Sequence, residues 1–422
     1  MNGSAPLTPE NFVQLFAPFD LGGTRVALAV SGGPDSMAMA WGTKEALGPD
    51  KIRAFIVDHG LRTESGEEAA EVQKNLTALG IKADILRWKH EKIDSRLHVL
   101  AREARYALLL DACQKEKINS LMLAHHSDDQ AETILMRLAK GSGPAGLAGM
   151  KDETLRGSIR ILRPFLEASK AQLVATCKAH SVPFVLDPSN ESDHYARGRL
   201  RRVEESLAQE GFTKERLLDL GHRAREAAEA ITYYAKAFLQ ESAKPTYDGA
   251  IELDREALQK CPQATALKVF SLILQTLHKK DFPPKRAALL HLLSFLLDED
   301  KRGASTLQGC LVQKRKDHLL FFREPSAVVD IKPITPNQSL IWEGRWHVHY
   351  DGDEKNLNVR ALGFQTRVLL DQIAPDLRKK VPWGRVRAGL PALWRGEKLV
   401  AIPSFFCDFG GLFKSASDPR QN

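Results

Sequence analysis

Apolar and polar positions alternate in blocks along the first half of the chain. Residues 26–30 form a short apolar run that stops at Ser31-Gly32-Gly33-Pro34, the pattern of a buried strand entering a tight turn. A second apolar run over 52–57 ends at Asp58-His59-Gly60. Ser65-Gly66-Glu67-Glu68 then reads as a capping box, and Ala69, Val72, Leu76 and Leu79 recur on one helical face up to Gly80. Residues 82–86 predict a third strand. A helix over roughly 95–115 follows, with Leu97, Leu100, Ala104, Leu108 and Ala112 as its apolar stripe. Residues 121–124 predict a fourth strand running into His125-His126. Another helix starts near Ser127, its Ser127-Asp128-Asp129-Gln130 reading as a capping box, and a further strand covers 159–162. Such alternation predicts an α/β protein with a parallel, doubly wound sheet covered on both faces. Sheets of this kind bind ligands at the carboxyl ends of their strands, where the polar motifs of this chain fall.

After about Leu200 the alternation stops. Residues 217–240 read as a long polar helix, 265–297 as a helical pair broken at Pro283-Pro284, and 309–322 as a small β segment. From about Ser326 short strands alternate with Pro and Gly turns. The expected division is a catalytic domain over 1–210, a mainly helical domain over 211–325 and a small α+β domain over 326–422. A chain of 422 residues is long enough for two or three such cores.

Composition narrows the class. No apolar run approaches the roughly 20 residues that span a bilayer, and residues 1–12 lack the basic-then-apolar pattern of a secretory signal, so a cytoplasmic location without membrane contact is expected. The five cysteines, Cys113, Cys177, Cys261, Cys310 and Cys407, include no CxxC pair, which argues against a disulfide scaffold, a zinc ribbon or a thiolate-held cluster. A net charge of +7 suits a polyanionic partner without requiring one. Two basic groups stand out: Arg197, Arg199, Arg201 and Arg202, then Arg378, Lys379, Lys380, Arg385, Arg387 and Arg395. A solvated surface explains such clusters as readily as a nucleic acid does. Trp383 and Trp394, beside the second cluster, read as core residues before they read as stacking platforms.

Candidate chemistry concentrates in Ser31-Gly32-Gly33-Pro34-Asp35-Ser36. Two glycines allow a tight turn in which successive N–H groups aim at one point, and the following helix adds its positive end, so the segment is a phosphate site. Asp35 can hold a magnesium ion or cap the helix. No GK[ST] is present, which excludes a Walker A loop. The loop resembles the PP-loop of ATP pyrophosphatases that cleave between the α- and β-phosphates.

Further stretches narrow the resemblance: Val57-Asp58-His59-Gly60-Leu61-Arg62, Ala101-Arg102-Glu103-Ala104-Arg105-Tyr106, His125-His126-Ser127-Asp128-Asp129-Gln130-Ala131-Glu132-Thr133, Gly141-Ser142-Gly143, Arg163-Pro164-Phe165 and Asp187-Pro188-Ser189-Asn190. Together with the loop they resemble the bacterial tRNA(Ile)-lysidine synthases over residues 26–202. The likeness continues more weakly at Thr306-Leu307-Gln308-Gly309-Cys310, Leu390-Pro391-Ala392-Leu393-Trp394 and Val400-Ala401-Ile402-Pro403. Where that family usually has Arg-Asn, this chain has Arg197-Gly198, which keeps the charges but lacks the asparagine side chain.

The resemblance implies a two-step ligation with ATP and Mg2+. ATP adenylates C2–O of the wobble cytidine of the CAU-anticodon isoleucine tRNA, and L-lysine then displaces AMP. It implies ATP binding by Ser31, Gly32, Gly33, Pro34, Asp35, Ser36, Val57 and Asp58, with Asp35 holding magnesium. Arg105 would act on the α-phosphate, and His125 on nucleotide or metal. Asp128 or Asp129 would receive lysine's amine, and the two basic groups would hold tRNA. Three rival activities share some of these features: a tRNA thiolase, a small-molecule amidating synthetase and a tRNA-binding protein without catalysis. A homodimer is left open.

Overall fold

Apolar runs that alternate with amphipathic helices need a sheet covered on both sides, and residues of the first half build one. The computed structural model describes residues 5–21, 23–61, 64–90, 97–185, 204–279, 283–364 and 384–413. Strands β1 (Val26–Ala29), β2 (Ile52–Asp58), β3 (Ala83–Arg87), β4 (Ser120–Met122), β5 (Glu153–Arg156) and β6 (Ile159–Leu162) lie in the order β3-β2-β1-β4-β6-β5. All neighbours are parallel except β5, which closes the edge as an antiparallel hairpin with β6. This is the doubly wound α/β architecture that the pattern predicts, with an edge strand that the pattern did not signal.

Side chains of successive strand residues point to opposite faces. Leu28, Ile56, Met122 and Leu162 enter one core with α1 (Pro9–Phe16), α2 (Pro34–Leu47), α3 (Ser65–Ala78) and, beyond them, α7 (Lys170–Ala179). Ala27, Phe55, Leu121 and Ile161 enter the other, under α4 (Leu97–Lys115). Helix α1, unforeseen in the sequence, packs on α2 where Phe12 lies over Gly42; a Cβ at Gly42 would sit 2.1 Å from that ring. The order reverses between β1 and β4, so the chain leaves these strands toward opposite faces and opens a crevice at their carboxyl ends.

Three local expectations are corrected. In α4 the buried positions are Ala101, Tyr106, Leu109, Ala112 and Cys113, whereas Leu100 is 40% exposed, so the helix is turned by about one residue from the expected stripe. Ser65 is the first helical residue of α3 rather than its cap; Glu64 stands at the cap without a side-chain bond, and the Ser65 hydroxyl donates to Asp58 Oδ1 at 2.8 Å. Helix α5 (Ser127–Ala139) is capped by His126, one residue earlier than expected, in a reciprocal box with Asp129.

The chain divides into two compact units, Met1–Ala228 and Glu229–Asn422. After the short α6 (Pro144–Leu147) and α7, the first unit takes in α8 (Glu204–Gln209) and the start of α9 (Lys214–Ser242), whose Leu217 packs on Ala131 and Ile134. In the second unit, β7 (Ala243–Pro245), β8 (Ile251–Asp254), β9 (Ala304–Leu307), β10 (Cys310–Lys314) and β11 (His318–Arg323) form an antiparallel sheet. A helical pair, Gln263–His278 and Arg286–Leu297, covers it. Two smaller antiparallel sheets follow around the fully buried Trp342 and Trp346. Trp394 is buried in the same core.

Candidate active site

The loop between β1 and α2 is shaped by one glycine in particular. Gly32 has φ +87°, and a Cβ there would come within 2.3 Å of Val72 Cγ2 on α3. Gly33 has φ −70° and stands at the N-cap of α2, where no side chain caps the helix; Pro34 takes the first helical position. The opening N–H groups of α2 are therefore left for a ligand, at the end of the helix that favours anions. Ser36 braces the loop, donating to Gly33 O at 3.0 Å and accepting from Ser31 N at 3.2 Å. Asp35 lies in the first turn and does not cap it; its Oδ1 is buried and finds no hydrogen-bond partner among the described residues.

A cavity of about 440 Å³ opens beside this loop. Ser31, Asp35, Ser36, Val57, Asp58, Arg105 and His125 line it, over an apolar floor that includes Phe55 and Leu109. The structure thus brings together residues from the ends of β1 and β2, from α4 and from the segment after β4. Asp58 also organises its own turn, accepting from Gly60 N at 3.0 Å and from Ser65 Oγ. Arg105 reaches the cavity because the buried face of α4 passes through Ala101 and Leu109, four residues to either side.

The two adjacent histidines have opposite electrostatics. Burial pushes His125 down to about 4, and the neighbouring Arg163, Arg105 and Arg102 add to that, against the opposing charge of Asp129. His125 is therefore neutral at pH 7, and its buried Nδ1 has no hydrogen-bond partner among the described residues. His126 is only 4% exposed, and burial opposes its charge, yet the carboxylates of Asp128, Asp35 and Asp129 outweigh burial and raise it to about 9. Its Nε2 lies 3.6 Å from Asp35 Oδ2 and 3.5 Å from Asp129 Oδ2, and its Nδ1 lies 3.5 Å from Asp128 Oδ2. The 3.4 Å contact from Asp129 N to Nδ1 needs the neutral ring, so capping of α5 by this side chain and charge pairing are alternatives. In the charged state the backbone bond from His126 N to Asp129 Oδ2, 3.1 Å, still holds the turn.

Asp128 is heavily engaged: it accepts from Lys170 N at 3.0 Å and from Lys214 Nζ at 3.3 Å. Burial opposes its ionisation, but His126, Lys170 N and Lys214 together hold its carboxyl well below the usual range. His126 as the link from Asp35 to the acidic pair, and Lys214 as a partner of Asp128, were not foreseen. The only sequence signal for His126 was its place just before the acid-rich first turn.

Of the expected tRNA contacts, Arg197, Arg199, Arg201, Arg202, Arg378, Lys379 and Lys380 lie outside the described residues, as do Gly198 and Trp383. Arg385 is exposed in a short helix, Arg385–Ala388, of the second unit. Among the described residues no group of three or more His, Cys, Asp or Glu side chains could hold a metal by itself, and no helix is long and apolar enough to cross a membrane.

Comparison with known proteins agrees with this geometry. Residues 7–207 match the model of the PP-loop domain family. A tRNA(Ile)-lysidine synthase of Methylobacterium sp. (strain 4-46) is 41% identical over 335 residues, spanning 77% of this chain and 97% of that protein. Its counterpart in Methylobacterium nodulans is 42% identical over 330 residues, spanning 76% of this chain and 97% of that one. That of Ruegeria pomeroyi is 33% identical over 389 residues, spanning 90% and 88%. A parallel sheet with a glycine-shaped anion loop at its switch point, carried by a chain of this similarity, belongs to the tRNA(Ile)-lysidine synthase family.

Proposed function

We propose that this chain joins the ε-amino group of L-lysine to C2 of the wobble cytidine in the CAU-anticodon isoleucine tRNA, converting ATP to AMP and pyrophosphate. The observation that carries the reading is the cavity at the β1–β4 switch point, where an uncapped helix start faces Arg105 and a neutral His125. In the first step the C2 oxygen attacks the α-phosphorus and pyrophosphate leaves. In the second, lysine's nitrogen attacks C2, the C2–O bond breaks, AMP departs and the nitrogen gives up a proton.

The N–H groups of Gly32, Gly33, Asp35 and Ser36, with Pro34 opening the helix and the Ser31 hydroxyl beside them, would cradle the pyrophosphate. Val57 and Asp58 would flank the adenosine, and Arg105 would meet the charge that grows on the α-phosphate. The orphaned Oδ1 of Asp35 fits a magnesium ion, which typically takes one or two carboxylates and completes its shell with phosphates and water. Magnesium bound there would neutralise phosphate charge. Of the two acids after the histidines, Asp128 already holds the Lys214 ammonium, so Asp129 is the better receiver of lysine's amine. An attacking amine must be neutral, and a nearby carboxylate can take its proton. The two basic groups, Arg197, Arg199, Arg201 and Arg202, then Arg378, Lys379, Lys380 and Arg385, would hold backbone phosphates.

The thiolase alternative is disfavoured by the thiols of the first unit. Burial drives both Cys113 and Cys177 up to about 12, leaving them protonated and poorly nucleophilic. The reading is tested by following AMP: release should require tRNA, and Asp129→Asn should raise the KM for lysine about tenfold. AMP formed at full rate without RNA would instead indicate a small-molecule synthetase.

A further inference from the structure

Tyr106, on the buried side of α4, is ringed by guanidinium groups. Arg156, the last residue of β5, places Cζ 4.1 Å from the ring centroid, and Arg102 and Arg105 of α4 lie at 5.3 and 5.7 Å. Arg163, just after β6, joins them: burial lowers its pKa most, Tyr106 opposes this, and Arg102 and Arg156 lower it further. Arg102, Arg105 and Arg156 each gain from the aromatic face. Four like charges gathered in one place also repel one another.

Among the described residues Arg102, Arg156 and Arg163 form no ion pair, and the polar contacts of Arg163 are to neutral groups: Lys151 O at 2.9 Å, Thr154 Oγ1 at 3.2 Å and Tyr106. Of the acids beside β5, Asp152 is engaged with Arg225 and Glu153 with Arg160. The cluster adjoins the cavity, because Arg105 lines it and His125 senses Arg163, Arg105 and Arg102. Its far side, Arg102 and Arg156, is exposed to solvent.

We propose that Arg102, Arg156 and Arg163, with Arg105, form a second anion site beside the ATP cavity, and that it takes a phosphodiester of the RNA strand flanking the base under modification. The inference rests on the reading that an RNA base enters this cavity. The open side distinguishes the occupant: a nucleic-acid backbone runs past two solvent-facing guanidinium groups, whereas a free amino acid's carboxylate calls for an enclosed pocket. Guanidinium groups suit phosphate because their paired N–H donors match two of its oxygens.

The test uses the full chain with Arg102→Gln, Arg156→Gln and the double variant, titrated with tRNA from 50 to 200 mM salt. Thermal unfolding and the KM for ATP control for folding. For the double variant we expect roughly tenfold weaker tRNA binding and a log Kd–log salt slope smaller by about 0.7, the value for one single-stranded phosphate contact. The KM for lysine should stay put, and the corresponding Lys variants should restore most of the slope. Unchanged tRNA binding with a raised KM for lysine would overturn the proposal in favour of the amino acid's carboxylate. Unchanged values throughout would overturn it in favour of a solvated surface. A reduced slope in a protein whose wild type makes no lysidine would uphold the RNA site and sink the ligase reading instead.

Discussion

At the scale of single residues, the site works by contrast between neighbours. Arg105 is a fixed positive charge at a cavity wall, so its value should be greatest when negative charge accumulates on the α-phosphate. Arg105→Ala is expected to lower kcat for AMP formation by about 10²–10³-fold while changing the KM for ATP little. A loss confined to KM would make it a ground-state ligand. His125 offers a second test, through pH. Its pKa falls from 6.5 to about 4 on folding, so its neutral form is the one the fold accepts. That contribution is complete above pH 6.5 and is lost as pH drops through about 4, because the unfolded chain takes up a proton first. The stability of the wild type relative to His125→Asn should therefore decline over this window, by on the order of 2–3 kcal/mol. Equal pH dependence of the two proteins in urea titrations would place His125 in contact with solvent.

At the scale of elements, the two loop glycines are not equivalent. Gly32 occupies left-handed backbone and abuts Val72, so Gly32→Ala should destabilise the first unit by about 2 kcal/mol or more, through strain and a clash together. Gly33 has ordinary backbone, and a Cβ there would come no nearer than 3.9 Å to Ser31 Oγ. Gly33→Ala should leave stability nearly unchanged and weaken ATP binding, since the methyl would crowd the phosphate path. Thermal unfolding and equilibrium ATP binding separate the two effects, and equal loss of stability in both would refute the distinction. Much of this was legible in sequence: short apolar runs ending in polar clusters mark buried strands and the carboxyl edge where the site forms. The phase of α4 was not, because its leucines are spread around the helix and tertiary packing selected Tyr106 and Leu109 over Leu100 and Leu108. The caps of α3 and α5 were misplaced by one residue for a similar reason. Ser65 finds a better partner in Asp58, and the turn before α5 is held by the bond from His126 N to Asp129 Oδ2.

At the scale of the whole molecule, the first unit holds the cavity and its surrounding charges, and the second offers three antiparallel sheets with their own cores. Motif order in the sequence identified the family, but not the convergence of Arg102, Arg105, Arg156 and Arg163. These residues come from three elements and meet only after the sheet has formed. The hairpin edge strand that carries Arg156 has too little apolar content to be seen as a strand beforehand. The central claim, ligation of lysine to RNA, is tested most directly by one labelling experiment. The purified chain is incubated with ATP, magnesium, radiolabelled lysine and bacterial tRNA lacking lysidine, and the RNA is treated with mild alkali before counting. The account predicts label that survives alkali, with AMP formed in equal amount. Label that is absent or lost in alkali, on tRNA shown to be a competent acceptor, would contradict it.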